Sequence, residues 1–333
     1  TAIRLTHGVA ASLSLTGATT AANDRTFGSA VVVDILDEDL NVVSTGAQST
    51  QTISVSVAGA TLTGTREISA TAGRASFGSL KLVGTVGTKV LTASIASPSA
   101  ITNTRNIDLG FGDATKLVVS TQASGFVNRV AFPTQPTITA QDSSGNTVTS
   151  FSSQVSVTAT RVGGSGSATI TGTLTRSPGS GVATFTNLRL DGTVGQYDMT
   201  FGATGVSTTT QRVTLTHGAA TAVVLTGATT SSNARTIATN IVAEIQDANA
   251  NRVTTGSDSN QSVVLSATGA VLSGTDTVNA SAGLATFSNL TLTGTAGSKT
   301  LSAKILSPSE ISGTRSIELA HGQATQLTIV TAA

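Results

Sequence analysis

The chain has 333 residues, no cysteine and a formal net charge of +1; 38% of residues are hydrophobic, 11% charged and 3% aromatic. Near-neutral charge argues against nucleic-acid or anionic-lipid partners, and the absence of cysteine excludes disulfides and thiolate metal sites. Low charge with that apolar content excludes disorder, and no run approaches the roughly 18 apolar residues of a membrane span.

Taken in order, Thr1 to His7 matches Gln211 to His217 and reads as the last strand of a preceding repeat, residues 1–7. Residues 8–111 form a first unit, in which helix signals are nearly absent. Ile53, Val55 and Val57 alternate with Thr52, Ser54 and Ser56, as in a strand with one buried face. Strand-like runs fall near 11–16, 30–36, 42–45, 51–58, 75–82, 88–95 and 101–109. About seven short strands separated by Gly, Asn, Asp and Ser turns describe an Ig-like β-sandwich.

Residues 112–217 form a diverged second unit. Residues 218–321 repeat the first at a constant offset of 210, with Leu5-Thr6-His7-Gly8 returning as Leu215-Thr216-His217-Gly218. About half of the aligned positions are identical, too long a match for accident. Junction glycines Gly8, Gly112, Gly218 and Gly322 lie 104, 106 and 104 residues apart, so the order is A-B-A. Gly322 to Ala333 echoes the start of the second unit and reads as the first strand of a following repeat, residues 322–333. The expected architecture is all-β, a tandem array of Ig-like sandwiches cut from a longer alternating series.

Turn chemistry recurs in register. Asp37-Glu38-Asp39-Leu40-Asn41, Asp142-Ser143-Ser144-Gly145-Asn146 and Asp247-Ala248-Asn249-Ala250-Asn251 each read as a hairpin turn, in which Asp bonds its own backbone and Asn or Gly takes positive φ. Gly73-Arg74-Ala75-Ser76-Phe77 and its counterparts at 181–185 and 283–287 each open a strand carrying one core aromatic.

This Asp-x-x-x-Asn turn, with Gly-x-Ala-x-Phe-x-x-Leu-x-Leu-x-Gly-x-x-Gly at 73–87, 181–195 and 283–297, resembles bacterial Ig-like tandem repeats of the invasin and intimin type and of giant surface adhesins. The resemblance covers all three units through structural motifs. It implies an extended, secreted, bacterial cell-surface array and carries over no catalytic residue.

The residues offer little for chemistry. His7, His217 and His321 each precede a junction glycine; separated by whole domains, they cannot share a metal or a triad, and they read as hinge side chains. Asp34, Asp37, Glu38, Asp39 and Asn41 form the best cation candidate, since calcium takes several oxygen ligands from one loop. A solvated turn is the plainer reading, and no cofactor is otherwise expected. Gly163-Gly164-Ser165-Gly166-Ser167, peculiar to the second unit, lacks the Lys-Ser/Thr of a phosphate loop and reads as a longer, flexible hairpin. Thr-x-Thr pairs such as Thr61-Leu62-Thr63 express β-propensity. The sequons at Asn260, Asn279 and Asn289 are expected by chance in so Ser- and Thr-rich a chain.

The expectation is therefore a non-enzymatic, extracellular stalk of serial domains, whose partners are neighbouring repeats or other copies of the chain. The alternatives are a self-assembling filament, sheath or surface layer, favoured by the charge-poor surface, and a glycan-binding module. With no tryptophan and a single tyrosine to stack on sugar, the last is the weakest.

Overall fold

The computed structural model describes residues 6–96, 99–306, 310–324 and 326. The first unit contains β1 (Ser12–Thr16), β2 (Thr20–Ala22), β3 (Val31–Leu36), β4 (Thr52–Ala58), β5 (Thr61–Thr63), β6 (Glu67–Ser69), β7 (Arg74–Phe77), β8 (Lys81–Val83), β9 (Gly87–Ile95) and β10 (Ile101–Gly110). One sheet has the order β1-β3-β7 and the other β2-β10-β9-β4-β6, with a small β5-β8 ribbon. Alternation along each strand sends Val31, Val33, Ile35, Ile53, Leu91 and Ile107 inward, where they are fully buried with Phe77, Leu80 and Leu82. This is an Ig-like β-sandwich.

The chain changes sheets between β1 and β2. β1 pairs antiparallel with β3, whereas β2 pairs parallel with β10. Gly17 makes the crossing at φ +95°, and a Cβ there would sit 1.9 Å from the Ala30 carbonyl oxygen. The Arg105 guanidinium then clamps the crossing by donating to the Leu15, Gly17 and Ala18 carbonyls at 2.8, 2.8 and 2.9 Å. In the third unit Arg315 makes the same three bonds to Leu225, Gly227 and Ala228. The second unit uses a neutral substitute: the buried Gln211 amide exchanges two hydrogen bonds with the Ala123 backbone, at 2.9 and 2.8 Å.

The second unit comprises β11 (Lys116–Thr121), β12 (Thr137–Gln141), β13 (Val155–Arg161), β14 (Ala168–Thr171), β15 (Thr175–Arg176), β16 (Val182–Thr184), β17 (Arg189–Gly192), β18 (Gly195–Gly202) and β19 (Thr209–Leu215), with sheets β11-β12-β16 and β15-β13-β18-β19 and a β14-β17 ribbon. The third comprises β20 (Ala222–Thr226), β21 (Thr230–Ser232), β22 (Ile241–Gln246), β23 (Ser262–Thr268), β24 (Val271–Ser273), β25 (Thr277–Asn279), β26 (Leu284–Phe287), β27 (Thr291–Thr293), β28 (Gly297–Ile305) and β29 (Ile311–Ala320), and repeats the first unit's topology. Among the described residues the buried apolar side chains fall into three separate clusters, one per sandwich.

Several expectations are corrected. The strand expected near 42–45 is a single bridge, Leu36 to Val42, after which the chain enters a short 3-10 turn at Ala47–Thr50 on its way to the other sheet. The run near 75–82 is two strands, β7 and β8, which belong to different sheets. Thr61-Leu62-Thr63 forms β5, in keeping with its β-propensity, whereas the three-residue strands β2 and β6 escaped the periodicity reading because alternation needs a longer window. In the Asp turns of the first and third units the positive φ falls on Leu40 at 64° and Ala250 at 59° rather than on Asn or Gly, whereas in the second unit Gly145 takes it at 86°, as expected. The expected terminal strands at 1–7 and 322–333 lie mostly outside the described residues.

Candidate interdomain site

The Asp turn folds alike in all three units. Asp37 N–H donates to the Asn41 carbonyl at 2.9 Å, and Leu40 N–H donates back to the Asp37 carbonyl at 3.1 Å. Asp37 Oδ1 accepts from the Asp39 and Asn41 backbone N–H groups, and its Oδ2 accepts from Gly8 N–H at 2.7 Å. Asn41 Nδ2 donates to both oxygens at 3.3 Å. The turn is thus a rigid Asx cage whose Asn side chain stands at the pole facing backward along the chain.

At the two junctions this cage meets an asparagine that the sequence reading overlooked. Asn23 directly follows β2, its backbone N–H bound to the Gly110 carbonyl at the end of β10. Its Oδ1 accepts from Gly84 N–H at 2.9 Å, which aims Nδ2 across the junction. Nδ2 donates to Asp142 Oδ2 at 3.0 Å and to Ser144 Oγ at 2.9 Å. In return, Asn146 Nδ2 donates to the Gly84 carbonyl and Val86 N–H to Asn146 Oδ1, both at 2.9 Å. Gly112 N–H, in the connector, donates to Asp142 Oδ2 at 3.0 Å.

The second junction repeats the pattern. Asn128 Oδ1 accepts from Gly192 N–H, and Asn128 Nδ2 reaches Asp247 Oδ2 at 2.8 Å and Asn249 Oδ1 at 2.9 Å. Asn251 Nδ2 donates to the Gly192 carbonyl and Val194 N–H to Asn251 Oδ1, each at 2.9 Å. Gly218 N–H donates to Asp247 Oδ2 at 2.8 Å. Asn23 and Asn128 are each only 2% exposed. Connector glycines are required by contact: a Cβ on Gly112 would lie 2.4 Å from the Asn23 carbonyl oxygen.

Burial alone would raise the pKa of Asp142 and Asp247. The donors outweigh it: Gly112, Asn146 and Asn23 for the first, Gly218, Asn128 and Asn251 for the second, so both carboxyls are held below the ordinary value. Asp37 is also lowered, chiefly by the Gly8 N–H.

The junctions differ around this shared latch. At the first, Arg25 forms an ion pair with Asp113 across the boundary, and Phe111 precedes the glycine. At the second, those positions hold Val130 and Ala219 beside an apolar niche of about 370 Å³, and His217 precedes the glycine. Thr255 N–H donates to His217 Nε2 at 3.2 Å, which leaves Nδ1 to donate to the Gly218 carbonyl at 2.9 Å. His7 makes the same pair of bonds, with Thr45 and Gly8. His321 is exposed beside Gly322.

The cation candidates separate. Asp34 pairs across the sheet with Arg74, at 2.7 and 3.0 Å; Asp37 is filled by the turn donors and the Gly8 N–H, Asn41 is engaged with it, and Glu38 and Asp39 lie exposed. Among the described residues no group of three or more His, Cys, Asp or Glu side chains is placed to hold a metal ion. The Gly-rich loop of the second unit joins β13 to β14 and is tied back by Arg161, whose Nε donates to the Gly163 carbonyl at 3.0 Å. The Arg161 guanidinium lies 5.5 Å from the buried Tyr197 ring centroid and donates to its hydroxyl at 2.8 Å.

No family model and no curated protein matches the chain. Solved structures similar to it include the Escherichia coli adhesin FdeC, 16% identical with TM-score 0.38 over 95% of this chain and 100% of that one. Invasin, a bacterial integrin-binding protein, is 15% identical with TM-score 0.35 over 93% of this chain and 60% of its own. The D0-D1 domain of intimin is 21% identical with TM-score 0.22 over 62% of this chain and 98% of its own. Likenesses of this degree concern the fold and say nothing of activity or partners.

Proposed function

We propose that this chain is a non-catalytic spacer segment of an extracellular bacterial surface protein, a stalk in which serial Ig-like domains project something else outward. The observation that carries this reading is the latch: one set of buried, cross-boundary hydrogen bonds recurs at both junctions. Domains joined by a bare linker move relative to one another by default. A neutral hydrogen bond contributes about 0.5–1.5 kcal/mol and one to a charged group about 1.5–3 kcal/mol, so the set at each junction suffices to favour one docked orientation. A spacer needs that property; a binding module or an enzyme does not.

Negative-stain electron microscopy across a concentration series tests the reading. Short rods of three beads at every concentration support it. Flexible strings of beads overturn it, and fibres or sheets with a two-domain repeat replace it with self-assembly, which a chain with only 11% charged residues would permit.

A further inference from the structure

We infer that the far pole of the third unit is a docking site for another Ig-like repeat bearing an Asp-x-x-x-Asn turn, and that Asn233 is its specificity-determining residue. The inference rests on the serial-array reading but concerns a surface that neither junction uses. Asn233 stands where Asn23 and Asn128 stand, following the short strand β21, and its backbone N–H donates to the Ala320 carbonyl at 3.0 Å. Its Oδ1 accepts from Gly294 N–H at 2.9 Å, the bond that aims Nδ2 outward at both occupied poles. A Cβ on Gly322 would lie 3.0 Å from the Asn233 carbonyl oxygen, the same distance that separates Gly218 from Asn128. Arg235 occupies the position of Arg25.

The contrast lies in cover. Asn23 and Asn128 are buried beneath the next domain's turn, whereas Asn233 is only partly buried. Half of the latch is therefore assembled before any occupant arrives. The geometry demands a carboxylate oxygen with a second acceptor two residues on, supplied by Asp142 and Ser144 at one junction and by Asp247 and Asn249 at the other. It also demands an asparagine amide to bond the Gly294 carbonyl, as Asn146 bonds that of Gly84. A preorganised polar pole of this kind fits a domain tethered at Gly322, where high effective concentration offsets its small area.

The test extends the full chain after Gly322 with residues 113–217 and places spin-label pairs across the new junction and across the first. The expected result is two narrow distance distributions with the same mean. Asn233→Ala should broaden the new one by roughly twofold, toward free domain motion, while the first stays narrow and each sandwich remains folded. A broad new junction beside a narrow first one overturns the docking site and leaves the stalk standing. Broad distributions at both overturn the two together, and a new junction indifferent to Asn233→Ala removes that residue's role.

Discussion

The two junctions hold the same hydrogen bonds in different surroundings, and that pairing separates what docks a domain from what decorates the joint. Asn23 with Asp142 and Asn128 with Asp247 reproduce one another within 0.2 Å, although the flanking residues have changed from Arg25 and Asp113 to Val130 and Ala219. At the centre of the shared part the Asn–Asp bond is buried, and its donor and acceptor have no water to fall back on. The variable part is exposed, where an ion pair adds little and charge can be exchanged for an apolar niche. Docking therefore belongs to the amides and the carboxylate, and local character to their neighbours.

Removing the carboxylate should have the largest effect. Asp247→Ala strips acceptors from Asn128, Asn251 and the Gly218 N–H at once, and should destabilise the third unit by about 3 kcal/mol in a denaturant melt. Asp142→Ala should do the same to the second unit; a large loss at one junction only would break the equivalence. Next comes the amide: Asn23→Ala and Asn128→Ala should each weaken coupling between neighbours by about 1–3 kcal/mol, read as loss of cooperativity between unfolding steps, with the sandwiches themselves intact.

Acid should release both latches together. The two carboxyls titrate below their ordinary 3.8, so their contribution is fully present above that value and is lost as pH falls through the lower folded value. Interdomain distances should hold from neutral pH to pH about 5 and broaden only below pH about 4. Salt should distinguish the joints weakly: high ionic strength, or Arg25→Ala, should loosen the first junction slightly and leave the second unmoved. The smallest expected effect is that of a chelator. With Asp37 occupied by its own turn, the melting temperature should not change, and a fall of several degrees would return calcium to Asp37, Asp39 and Asn41.

The fold was legible where burial writes a pattern long enough to read. Ile53, Val55 and Val57 announced β4, and Phe77 and its counterparts marked the core. Three-residue strands such as β2 left no such trace, yet β2 delivers Asn23 to the pole. The Asp turns were visible as turns, because Asp37 Oδ1 takes its donors from Asp39 and Asn41 within five residues. Their second use was not visible, since Asn23 and Asp142 lie 119 residues apart. One signal was available: Asn23, Asn128 and Asn233 recur every 105 residues among neighbours that change.

The amino-acid sequence alone determined the all-β class, the 210-residue repeat and the turn positions, because these follow from local propensity, alternation and self-similarity. Tertiary structure alone decided which turn faces which asparagine, which strand changes sheets, and that Asp34 and Asp37 serve different partners. Those outcomes depend on groups far apart in sequence becoming buried together, where an amide must find a partner or lose the hydrogen bonds water gave it.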